Sequence, residues 1–178
     1  FTKPVDILAV DVPAGYTTLF VFPYSVGFQF SGFKNLAALN EAITKRLKNL
    51  GVTTLLFMRH LELIEYEIKI PGKEASGEYL LDAEPVNDHR TRVSAIESED
   101  DKTDESLSFI KFSMPIDSRV STRTIDVAFT VATDKEGKTT FQKAKNPYIS
   151  VYFPTETESK LDFIVQGPFR TTPNRSSV

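Results

Sequence analysis

The sequence predicts an α+β fold, a mostly antiparallel β-sheet with one amphipathic helix. Three observations carry this. Beyond residue 52, apolar residues alternate with polar ones at period two, the pattern of a sheet with one wet face. One stretch, Leu36, Leu39, Ile43, Leu47 and Leu50, recurs instead at helical spacing. Turn formers such as Pro71-Gly72-Lys73 and Asp134-Lys135-Glu136-Gly137-Lys138 separate the strand-forming runs.

Residues 5–11 and 16–23 are dense in strand formers and flank a turn at Pro13-Ala14-Gly15. The helix then spans 36–50. Asn35 suits its N-cap, Lys45, Arg46 and Lys48 suit the negative end of its dipole, and Gly51 suits the left-handed residue that follows. Residues 53–58, apolar from 55 to 58, are read as a buried strand. Ile64, Tyr66, Ile68 and Ile70 alternate with Glu65, Glu67 and Lys69, the signature of a half-wet strand. Return strands are expected over 77–82, 90–98, 107–114 and 124–132. A hairpin leads into 139–143, and 148–153 and 161–166 complete an antiparallel meander. The domain reading is closing strands of an upstream domain over 1–30 and an α+β domain over 31–178.

The 178 residues carry a net charge of −3, so no basic footprint for nucleic acid is indicated. The absence of cysteine excludes disulfides, Cys-ligated metals and thiol nucleophiles. No apolar run approaches the roughly 20 residues of a membrane span, and a cytoplasmic setting is expected. Both ends read as cuts, so the chain is expected to be a fragment.

Candidate chemistry is sparse. His60 and His89 stand alone, without the spacing of a metal site, and no metal is expected. The acidic run Glu97, Glu99, Asp100, Asp101, Asp104 and Glu105 lacks the glycine and closing glutamate of a calcium loop and reads as a solvated, mobile loop. Phosphate-cradling glycine motifs and a nucleophile elbow are missing. No complete enzyme active site is expected in the chain itself. The C-terminal stretch is the exception: Gly167-Pro168 and Pro173-Asn174 set sharp backbone directions around Arg170 and Arg175. Such a loop suits an anion, because guanidinium groups fork onto phosphate oxygens and stay charged. It also suits a surface turn whose arginines pair with acidic neighbours.

The segment Tyr152-Phe153-Pro154-Thr155-Glu156, followed by Leu161-Asp162-Phe163-Ile164-Val165-Gln166-Gly167-Pro168-Phe169-Arg170-Thr171-Thr172-Pro173-Asn174-Arg175, resembles Hsp90-like (GHKL) ATPases of the bacterial sacsin-like type. Leu47-Lys48-Asn49-Leu50-Gly51 with Leu55-Leu56-Phe57-Met58-Arg59 is similar to the same family. So is Gly15-Tyr16-Thr17-Thr18-Leu19-Phe20-Val21-Phe22, which looks like the closing strand of the ATPase domain.

The resemblance implies a transducer-like, middle-domain segment that follows the nucleotide site. The family's Glu- and Asn-bearing helix, its DxGxG motif and its glycine-rich lid are not in these residues. ATP and Mg²⁺ are therefore expected for the parent protein and not for this segment. Thr172-Pro173-Asn174-Arg175-Ser176 is similar to the middle-domain loop whose arginine reaches the γ-phosphate. It departs from that loop by placing Asn174 directly before Arg175 and Ser176 where a glutamate is usual. The resemblance implies Arg175 as the catalytic arginine, with Arg170 as the alternative, and Arg170 and Asn174 as nucleotide-binding residues. The implied partners are the upstream ATPase domain of the same chain and a protein client. The rival reading is a β-rich interaction module with no nucleotide role, which binds extended partners by strand addition.

Overall fold

The computed structural model describes residues 14–15, 32–100, 102–117, 120–145 and 147–170. Two compact units divide at the Ile43–Thr44 bond, inside the helix α1 (Leu36–Lys48). The expected strands at 5–11 and 16–23 lie outside the described residues.

In the first unit, the Asn35 side chain accepts a hydrogen bond from the Ala38 amide at 2.8 Å, the N-cap its sequence position predicts. Leu39 is buried, while Ile43 is exposed.

The second unit begins with the last turn of α1. Asn49 donates from its amide to the Lys45 carbonyl at 2.6 Å, and Gly51 takes φ 83°, so the helix is closed by side chain and glycine together. The buried strand expected over 53–58 is instead a run of tight turns. The amides of Thr54, Leu56 and Met58 donate to the carbonyls of Gly51, Thr53 and Leu55, each three residues back. These turns place Val52, Leu55, Leu56 and Phe57 against the sheet, all at 4% exposure or less. The apolar residues at 55–58 signal burial without specifying backbone, and four residues are too few for a period to separate strand from turn.

The sheet contains β1 (Leu63–Ile70), β2 (Lys73–Asn87), β3 (Arg90–Glu99), β4 (Lys102–Asp117), β5 (Val120–Thr133), β6 (Thr139–Gln142), β7 (Tyr148–Val151), β8 (Phe153–Glu158) and β9 (Ile164–Gln166). Strands β1 to β5 form the expected antiparallel meander, and β6 folds back on β5. The order then becomes β5-β9-β7-β8, with β9 antiparallel to β5 and parallel to β7. The sheet is therefore mixed rather than a meander throughout. The expected strand at 148–153 is broken at Tyr152, whose φ of 65° turns the chain between β7 and β8.

One face of the sheet is the core. Tyr79, Leu81, Val93, Ala95, Phe109, Ala128 and Ile164 are buried with the turns at 52–57. Tyr79 also donates its hydroxyl to the Leu47 carbonyl at 2.7 Å, tying the end of the helix to β2. Tyr148 in β7 donates to the Thr53 hydroxyl at 2.8 Å, tying the turns to the far side of the sheet. The acidic stretch forms a hairpin, not the expected mobile loop. β3 ends at Glu99, β4 starts at Lys102, Asp100 turns at φ 48°, and Glu99 forms an ion pair with Lys48. Cross-strand pairing outweighs the repulsion that its composition suggests.

Candidate functional site

Arg170 is the one expected site residue that falls within the described residues. It is exposed and stands four residues beyond β9. Asn174 and Arg175 lie outside the described residues.

The strand that leads to Arg170 is held on both sides. Gln166 stands opposite Asp126 of β5 and beside Ser150 of β7, so the three side chains form one row across three strands. All three are buried, at 7% exposure or less. Gln166 accepts from the Tyr152 amide at 2.8 Å, and the Gly167 amide donates to the Ser150 carbonyl at 3.2 Å. These bonds fix the direction in which 167–170 leaves the sheet. The Ser150 hydroxyl has no hydrogen-bond partner and is the one buried side-chain polar atom so left among the described residues.

Next to this row is a charged group that sequence reasoning missed. Arg59, at the end of the buried turns, donates to the Thr124 hydroxyl at 3.1 Å. Thr124 donates in turn to the Asp126 carboxylate at 3.1 Å. Lys111 of β4 points to the same region and reaches the Leu56 carbonyl at 3.5 Å. Burial holds the Lys111 ammonium below its ordinary pKa. Asp126 opposes that effect, and the Arg59 charge adds to it. Two cations thus gather about one carboxylate beneath the turns. The sequence hint was faint: Lys111 continues the face of Leu107 and Phe109, but Asp126 shares its face with Thr124 and Thr130 and so reads as solvent-facing.

The remaining candidates do not converge. His60 and His89 are exposed and far apart in the chain, and the His89 amide donates to the Asn87 side chain in the β2–β3 turn. Among the described residues no three His, Asp or Glu side chains gather where they could hold a metal ion. No helix among them is long and apolar enough to cross a membrane. A forked guanidinium at Arg170 fits an anionic oxygen cluster such as a phosphate, since it is exposed and forms no ion pair among the described residues.

Comparison with family models, curated proteins and solved structures found no match.

Proposed function

We propose that the chain is the transducer-like segment of an Hsp90-like ATPase, which couples ATP binding and hydrolysis in an upstream domain to conformational change. Residues 167–175 supply an arginine to the γ-phosphate: Arg175 in the catalytic role, with Arg170 and Asn174 beside it. The observation that carries this reading is the anchoring of β9. Its Gln166 is buried and bonded on the β7 side and paired with β5, so the arginine-bearing segment starts from a fixed strand. An arginine acts on transferring phosphate only when it is held in place. The resemblance over 152–175 supports the same assignment. The proposed setting is cytoplasmic, with the upstream ATPase domain and a protein client as partners and with ATP and Mg²⁺ bound by that domain.

The test is ATP hydrolysis by a chain extended N-terminally through the ATPase domain, with Arg175→Ala and Arg170→Ala. Loss of the phosphate-contacting arginine should lower turnover on the order of a hundredfold. A fall with Arg175→Ala supports the assignment as stated, and a fall with Arg170→Ala alone moves the role to Arg170. Turnover indifferent to both substitutions refutes the phosphate contact.

A second reading, a β-rich interaction module, rests on β1. Among the described residues this eight-residue strand pairs with β2 alone, which leaves its outer edge open to an added strand. An extended chain that hydrolyses no ATP would favour this alternative.

A further inference from the structure

Among the described residues, the strand order begins at β1, which pairs with β2 alone. Glu62, just before the strand, accepts from the Leu81 amide at 2.7 Å, so its main chain points toward β2. Hydrogen-bonding direction alternates along an antiparallel strand. Ile64, Tyr66, Ile68 and Ile70 therefore also turn their main chains to β2, and Glu65, Glu67 and Lys69 turn theirs to the outer edge. At the other end of the strand order, β8 has six residues to the eight of β1 and carries Pro154, which cannot donate.

The two faces of the β1 edge differ. On the core side, Ile68 is buried and Ile64, Tyr66 and Ile70 are half-buried, so an apolar row ends at the edge. On the outer side stand Glu65, Glu67 and Lys69, with Glu78 of β2 opposite Glu65 and Glu74 opposite Lys69. Lys69 is engaged by Glu67 at 2.7 Å. Glu65 and Glu78 form a pair that exchanges no main-chain bonds, the closer of the two cross-strand spacings, where like charges repel. Neither has an ion pair among the described residues.

We propose that the outer edge of β1 takes up an extended peptide in which lysine or arginine alternates with apolar residues, added as an antiparallel strand. Its main chain bonds to Glu65, Glu67 and Lys69. Its basic side chains stand opposite Glu65 and Glu67, and its apolar side chains extend the row of Ile64, Tyr66 and Ile68. Main-chain bonds supply the affinity, and the alternating side chains choose the partner. A second copy of β1 would bring two glutamates and one lysine to the same face and leave it net negative, whereas a basic strand neutralises it. Binding of this kind rests on the strand-addition reading of β1 and needs no nucleotide role.

The test is fluorescence anisotropy at low salt, with the full chain and the labelled, end-blocked peptide Val-Thr-Val-Lys-Val-Lys-Val. In antiparallel register its lysines face Glu67 and Glu65 and its threonine faces Lys69. The peptide should bind saturably. Exchanging both lysines for glutamate should weaken binding by about fivefold or more, and Glu65→Gln should weaken it about threefold. N-methylation of the first lysine, whose amide faces the edge, should weaken binding about tenfold. N-methylation of the valine after it, whose amide faces away, should weaken it less than about threefold. The modified peptides probe the wild-type chain, so the result does not depend on a variant folding. Absence of binding, or equal loss from either methyl group, overturns the proposal and strand addition at this edge together. Binding that is sensitive to the methyl position but indifferent to lysine or glutamate keeps strand addition and overturns the basic partner. A dimer in sedimentation that Glu67→Pro dissociates and the peptide does not displace assigns the edge to a second copy, which also overturns the proposal.

Discussion

Replacing Tyr148 by phenylalanine should make the protein less stable at neutral pH and more stable at high pH. The hydroxyl donates to the Thr53 hydroxyl at 2.8 Å, with the Thr53 carbonyl at 3.3 Å, across a gap of 95 residues. Its loss should cost about 1 kcal/mol at pH 8, the typical net worth of such a bond. In a domain of this size that lowers Tm by about 3 °C. Burial pushes the hydroxyl's pKa from the ordinary 10 up to about 12, with the Thr53 bond acting in the opposite direction. The unfolded chain therefore releases this proton first. Between those two values it binds fewer protons than the folded chain, so stability falls as pH rises. The penalty on wild type reaches about 1.4 kcal/mol near pH 11 and about 2.7 kcal/mol by about pH 13. Phenylalanine lacks the bond and escapes the penalty, so the order of stabilities should reverse at about pH 11. Urea unfolding of both proteins from pH 8 to 12 measures the difference, and other titrating groups cancel because both chains share them. Curves that stay parallel across this range would refute the buried hydrogen-bonded hydroxyl.

Two further perturbations test other parts of the fold. Lys111→Met should leave stability at pH 7 within about 1 kcal/mol of wild type, or raise it, because an apolar stem of similar length replaces a desolvated charge. Wild type should also gain stability as pH climbs toward the ordinary lysine value of 10.5, where the unfolded chain still holds a proton that the folded chain has shed. The Met variant should lack that rise in urea unfolding, and a loss above about 3 kcal/mol would instead make the ammonium essential. Gly77→Ala should cost about 1–2 kcal/mol, because Tyr66 lies across Gly77 on the neighbouring strand where a Cβ would project. With Tyr66→Ala already in place, the same substitution should cost measurably less in denaturant unfolding. Equal costs in the two backgrounds would show that the ring does not cover the glycine.

Much of the architecture was legible because it rests on local periodicity. Alternation over 64–70 reports a half-buried strand, and β1 covers that span. The helix, its Asn35 cap and its closing Gly51 were readable because caps depend on one or two neighbouring residues. The turns at 53–58 were not, since the apolar residues at 55–58 are too few to reveal a period. The acidic hairpin was missed because charge composition predicts solvation, whereas pairing between Glu97 and Glu105 and the Lys48–Glu99 ion pair arise from the partner strand and the helix.

The candidate site divides in the same way. Sequence alone identified an arginine-bearing segment after a strand, because glycine and proline constrain the backbone wherever they occur. It also determined the α+β class and the position of the helix. Only the tertiary structure decided that β9 enters the sheet between β5 and β7, aligning Asp126, Gln166 and Ser150 from segments 16 or more residues apart. It likewise brought Arg59, Lys111 and Asp126 to one place. Periodicity reports which face a side chain takes, but strand order and register set its neighbours, and these follow from packing and pairing across the whole sheet.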